Sequence, residues 1–299
     1  MSITPPYLQK GDRVAIVCPA KKLPKPMDDA VALLQSWGLE VVLGQTINAE
    51  HHQFAGTDQL RAQDLQQYIN DDSIKAIFAA RGGYGTVRIV DLIDFDRLKT
   101  NPKWVVGFSD ITVLHAHLSQ NFDLCTIHGQ MPINIPDGTA ASVETLRQVL
   151  FGETVSYKFS AQPLNRLGSA KGTLIGGNLA ILQSIAGSVS DYEYDGKILF
   201  IEDVSEYLYS IDRMMYMLKR AGKLTNLAGL IVGGFTDVKD NDILFGQTAY
   251  EIIKALVNDY NYPVCFDFPA GHVADNWAMV FGKEVQLVVS QTDSTITYL

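Results

Sequence analysis

Residues 74–85 read Ile74-Lys75-Ala76-Ile77-Phe78-Ala79-Ala80-Arg81-Gly82-Gly83-Tyr84-Gly85. An apolar run without polar alternation, closed abruptly by glycines, describes a strand buried on both faces. Strands of that kind belong to parallel sheets covered by helices. Val14-Ala15-Ile16-Val17 repeats the pattern upstream, and Trp104-Val105-Val106-Gly107-Phe108 repeats it downstream. Outward from these, strands are expected over residues 13–20, 39–47, 74–81, 104–109 and 124–131. Helices are expected over 27–37, 58–70, 84–93 and 110–122. The alternation predicts an α/β domain over residues 1–155.

Residues 156–170 are polar and turn-rich and are expected to link this domain to a second one over 171–299. Apolar runs at 197–201, 227–235, 264–268 and 285–289, separated by helical patterns at 178–186, 207–221 and 248–259, predict a smaller α/β domain richer in strand at its end. A length of 299 residues accommodates both.

The net charge of −9 comes with no Lys/Arg cluster beyond Lys21-Lys22, which speaks against nucleic acid as a partner. No apolar run is long enough to cross a bilayer, and the first twenty residues lack a signal-peptide pattern, so a cytoplasmic protein without a membrane role is expected. Three widely spaced cysteines, Cys18, Cys125 and Cys265, fit reduced thiols better than a disulfide framework. No His/Cys/carboxylate spacing matches a metal site, and neither a metal nor another cofactor is expected.

In a parallel sheet, ligands gather at the carboxyl ends of the strands. That edge carries Cys18-Pro19-Ala20, Arg81-Gly82-Gly83-Tyr84-Gly85, Ser109-Asp110 and His128-Gly129-Gln130. Ser109 stands at a strand-to-helix turn, where it could be a nucleophile or a helix cap. Ile111 excludes the G-x-S-x-G elbow. The glycine cluster could form an oxyanion hole, a phosphate cradle or a plain turn. Glu202, Asp203 and Glu206 follow a buried run, where they could cap the next helix or orient a histidine. Of six histidines, His272 lies in a loop flanked by Gly271. His115 and His117, two apart on a helix, do not share a face.

Together these pieces resemble the LD-carboxypeptidase family of serine peptidases, the muramoyltetrapeptide carboxypeptidases of peptidoglycan recycling. The resemblance runs from Lys10-Gly11-Asp12-Arg13 through Arg81–Gly85, Gly107-Phe108-Ser109-Asp110, His128-Gly129, Gly176-Gly177-Asn178-Leu179 and Glu202-Asp203 to Gly271-His272 and Asn276. It implies Ser109 as nucleophile, His272 as base and Glu202 as orienting carboxylate, with the amides of Gly83 and Asp110 as oxyanion hole. Arg81, Gly82, His128, Gly177 and Asn178 would bind a small peptide or muropeptide. It also implies a Rossmann-like N-terminal domain, a β-rich C-terminal domain and a homodimer. Gln130 stands where the family often has proline, and Met279-Val280-Phe281-Gly282 where it has Leu-Pro-x-Gly. Both departures bear on pocket shape and substrate preference rather than on the triad. The rival within the family is a microcin-immunity-type hydrolase of peptidyl- or aminoacyl-nucleotide amides. From another class comes a non-catalytic ligand-binding module.

Overall fold

The computed structural model describes residues 2–299. Two compact units form: one from the residues up to Thr154 together with Ala274–Gly282, the other from Val155–Val273 together with Lys283–Leu299. In chain order the elements begin with β1 (Arg13–Val17), α1 (Asp28–Ser36), β2 (Glu40–Leu43), α2 (Asp58–Asn70), β3 (Ile74–Ala79) and α3 (Arg97–Thr100). β4 (Trp104–Gly107), α4 (Thr112–Phe122), β5 (Thr126–His128), α5 (Ala140–Phe151), β6 (Ser156–Ser160), β7 (Gly168–Asn178) and α6 (Leu179–Ser184) follow. The chain ends with β8 (Ile198–Val204), α7 (Leu208–Arg220), β9 (Gly229–Thr236), α8 (Ala249–Leu256), β10 (Val264–Cys265), β11 (Met279–Phe281), β12 (Glu284–Val289) and β13 (Asp293–Tyr298).

In the first unit the sheet order is β11-β5-β4-β3-β1-β2. β2, β1, β3, β4 and β5 run parallel, and β11 joins β5 antiparallel, Met279 opposite His128. Val14–Val17, Ala76–Ala79 and all of β4 are buried, as continuous apolar runs require. α2 opens with the Thr57 side chain accepting from the Leu60 amide. At its other end the wholly buried Lys103 donates to the carbonyls of Tyr68 and Asp71, which helix geometry leaves without intrahelical partners. Burial pulls the Lys103 ammonium down to about 8. The three cysteines are buried and unbridged.

The helix expected over 84–93 does not form. Two short 3-10 turns, Thr86–Arg88 and Val90–Leu92, stand there instead. The segment starts from Gly85 at φ 141° and is rich in β-branched residues, both unfavourable to an α-helix.

In the second unit the order is β10-β9-β8-β7-β12-β13-β6. The long strand β7 joins two kinds of sheet. Gly168–Thr173 pair antiparallel with β12, and Leu174–Asn178 pair parallel with β8, bringing Asn178 beside Glu202. At Gly176, φ 138°, a Cβ would stand 1.9 Å from the Phe200 carbonyl oxygen, so the crossing depends on glycine. α7 buries Leu208, Ile211, Met214, Met215 and Leu218 and packs against α6 and α8.

The boundaries differ from those expected. Residues 156–170 are no linker, because β6 and the start of β7 lie within them as part of the second sheet. Residues 274–282, expected in the second domain, return to the first unit through β11.

Candidate active site

β4 is buried along its whole length, and Phe108 continues it in extended backbone. Ser109 then turns the chain with φ 63°, in the left-handed region that a non-glycine residue enters at a cost of about 1–3 kcal/mol. A 3-10 turn, Ser109–Ile111, leads into α4, and no side chain caps α4 at Ile111. The half-buried serine therefore stands at a bent strand end, without the cap that its residue type suggested. Asp110 faces the glycine loop instead. Its Oδ2 accepts from the Thr86 amide at 2.9 Å and from the Thr86 hydroxyl at 2.6 Å. Burial raises the Asp110 carboxyl, against the pull of those two bonds.

The glycine loop after β3 lies directly on this turn. A Cβ on Gly82 would stand 3.2 Å from the Ser109 Cβ and 3.4 Å from the Asp110 amide nitrogen. Gly83, at φ 109°, packs under the Lys21 side chain and is exposed. Arg81, half-buried at the start of the loop, donates one Nη1 hydrogen bond to the Lys22 carbonyl at 2.7 Å. His128 departs from its expected place at the substrate. It is wholly buried at the end of β5, between the rings of Phe108 and Phe281. Gln130 is buried too, its amide reaching Ser142 and the Ala274 carbonyl, both at 3.3 Å.

In the second unit Glu202 lies wholly buried near the end of β8, and its Oε2 is 2.7 Å from Nδ1 of His272. The same oxygen accepts from the His272 backbone amide at 3.2 Å. Gly271 makes this approach possible: at φ 112°, a Cβ would stand 2.8 Å from Glu202 Oε2. Burial lowers the His272 pKa, but the charge and hydrogen bond of Glu202 outweigh it and leave the imidazole above its ordinary value.

Asp203 does not cap the helix after Tyr207, as its position had suggested. Oδ1 accepts from Asn178 Nδ2 at 2.9 Å and from the Val204 amide at 2.8 Å, and Oδ2 accepts from the Ala180 amide at 2.9 Å. Asn178 Oδ1 in turn caps α6 by accepting from Ile181. Asn178, expected at the substrate, thus ties the start of α6 to the residue beside Glu202, and Gly177, also expected there, pairs with Ile201 of β8. Burial, then the Glu202 charge, push Asp203 up to about 7. Among the described residues no group of three or more His, Cys, Asp or Glu is placed to hold a metal ion.

The first unit thus carries a strained serine at a strand end with a glycine loop on its turn, and the second carries a histidine bound to a buried carboxylate; each is of a kind that acyl-transfer chemistry uses. Comparison with known proteins agrees. Residues 14–129 match the LD-carboxypeptidase N-terminal domain, and residues 171–287 match the LD-carboxypeptidase C-terminal domain. The chain belongs to the LD-carboxypeptidase family. Through that family it is a serine-type carboxypeptidase, which sets aside the non-catalytic binding module. A probable murein peptide carboxypeptidase of Bacillus subtilis is 35% identical over 99% of this chain and 95% of its own length. The crystal structure of a muramoyltetrapeptide carboxypeptidase from Oxalobacter formigenes superposes with a TM-score of 0.87 at 27% identity. That match covers 96% of this chain and 98% of the other. The microcin C7 self-immunity protein of Escherichia coli is 24% identical over 89% of this chain and 86% of its own.

Proposed function

We propose that this carboxypeptidase hydrolyses the L,D-amide that joins a terminal D-alanine to a muramoyl tetrapeptide. The reading rests above all on the Glu202–His272 pair. A carboxylate on Nδ1 selects the tautomer whose Nε2 accepts a proton, and it stabilises the imidazolium that results. His272 then takes the Ser109 hydroxyl proton as Oγ attacks the carbonyl carbon. The amides of Gly83 and Asp110 hold the tetrahedral oxyanion, each donor worth roughly 3–4 kcal/mol in comparable sites. The imidazolium passes its proton to the departing D-alanine amine as the C–N bond breaks. Water, deprotonated by His272, hydrolyses the acyl-enzyme and restores Ser109. Arg81 receives the free carboxylate of the substrate, a local cation in a chain of net charge −9.

Turnover in the cytoplasm, within peptidoglycan recycling, and a homodimeric state belong to the same reading. Among the described residues no helix is long and apolar enough to cross a membrane. The relation to the microcin C7 self-immunity protein favours a second reading, cleavage of an aminoacyl- or peptidyl-nucleotide amide. Release of D-alanine from muramoyl tetrapeptide, assayed beside such an amide, separates the two. Ser109→Ala should lose a factor of roughly 10⁴ or more in kcat while still binding substrate, and should lose fluorophosphonate labelling. A Ser109→Ala enzyme working near the wild-type rate would end the serine-peptidase reading.

A further inference from the structure

The glycine loop has few side chains to fix its shape, yet the role proposed for the Gly83 amide demands a rigid one. Two of the contacts that hold it end on buried charged groups. On one side the Asp110 carboxylate grips the amide and hydroxyl of Thr86. On the other stands Arg61, a residue of α2 whose side chain is wholly buried. Its Nη1 donates to the Gly85 carbonyl at 2.9 Å and to the Pro19 carbonyl, just beyond β1, while Nη2 pairs with Asp58. The guanidinium carbon lies 4.9 Å from the Phe54 ring centroid. A Cβ on Gly85 would stand 2.8 Å from Nη1, so glycine and arginine are fitted to each other.

Burying a guanidinium costs several kcal/mol before its partners offset it, and an apolar side chain could fill the same volume. What an apolar residue cannot do is hold two carbonyls, from the loops that follow two neighbouring strands, in fixed positions. We infer that Arg61 is a positioning residue for oxyanion stabilisation. It anchors the Gly85 carbonyl, Gly85 leads directly into Thr86, and Thr86 is fastened to the residue following Ser109. The inference rests on the proposed roles of Ser109 and the Gly83 amide. A loop loosened at Gly85 would still admit substrate, but its amide would no longer be aimed where negative charge develops. The loss therefore belongs to kcat rather than KM.

The test compares the wild type, Ser109→Ala, Arg61→Lys and Asp58→Ala in D-alanine release, with thermal unfolding followed for each. Affinity for a peptide boronic acid, a mimic of the tetrahedral species, is measured for all but Ser109→Ala. Arg61→Lys should lose roughly 10–100-fold in kcat with KM within about twofold, and its boronate affinity should fall in step with kcat/KM. Asp58→Ala, at a partly exposed position, keeps Arg61 but frees Nη2, and should lose about threefold or more in kcat. A folded Arg61→Lys with wild-type kcat, or with reduced kcat but unchanged boronate affinity, would overturn the inference. Should Arg61→Lys fail to fold, unchanged kcat in Asp58→Ala would overturn it equally. An active Ser109→Ala would instead bring down the serine mechanism.

Discussion

Glu202→Gln changes little in volume and removes one charge. Glu202 Oε2 receives two bonds, from Nδ1 and from the backbone amide of His272, and a carboxamide oxygen could accept both. What disappears is the charge assistance. Hydrogen bonds to charged groups contribute about 1.5–3 kcal/mol against about 0.5–1.5 for neutral ones. A loss of about 1–2 kcal/mol, and hence roughly 5–30-fold in kcat/KM, is expected. That is far milder than Ser109→Ala, because Ser109 and an imidazole would both remain. The pH profile offers the sharper test. Burial depresses His272, and Glu202 more than restores it. Since the base must be unprotonated, wild-type kcat/KM should fall on the acid side with a midpoint above the ordinary histidine value. Without the Glu202 charge, burial prevails and the midpoint should move down by about one unit or more, at 1.36 kcal/mol per unit. The Asp203 carboxyl, relieved of the Glu202 charge that helps to raise it, would supply part of the missing field. The measurement is kcat/KM between about pH 5 and 9. An acid limb that stayed in place or moved upward would refute the assignment of His272 as a base poised by Glu202.

Ser109→Gly should abolish turnover and yet stabilise the fold by about 0.5–1 kcal/mol in denaturant unfolding, because glycine accepts φ 63° without the Cβ penalty. A destabilised glycine variant would show that the turn holds no strain there. His115 is wholly buried, its Nε2 donating to the Gly107 carbonyl at 2.9 Å, and burial lowers its pKa to about 4. With a folded pKa depressed below the unfolded value of about 6.5, its contribution to stability is present above pH 6.5 and is lost as pH falls toward 4. The loss approaches about 3 kcal/mol, from roughly 2.5 units at 1.36 kcal/mol each. Unfolding of His115→Gln should therefore depend less on pH over that window, and parallel wild-type and variant curves would contradict it.

The first sheet was legible because strands buried on both faces leave continuous apolar runs, and β1, β3 and β4 all carry them. β6 was not. Only Tyr157 of its five residues is buried, and an edge strand this short looks like a polar turn until β13 is set beside it. The return of residues 274–282 leaves no mark in the sequence for a different reason. Met279–Phe281 is an apolar triplet that would read alike in either unit, and its partner residues 126–128 lie some 150 positions upstream. Of the residues proposed to act, Ser109, Glu202 and His272 can be singled out in the sequence because each is a chemically capable residue at a strand end or beside a glycine. The residues that hold them in place carry no such sign. Asp58 and Arg61, three apart on a helix, look like an ordinary surface ion pair, and only the fold shows the guanidinium turned inward onto Pro19 and Gly85. Asp203 looked like a cap for the helix after it, and it faces α6 because β7 and β8 pair in parallel and bring Asn178 to its side. Reactive groups declare themselves by type, whereas positioning groups are defined by partners distant in sequence. Arg61 is of the second kind, for its partners Pro19 and Gly85 lie 42 and 24 positions away and meet it only in the folded chain.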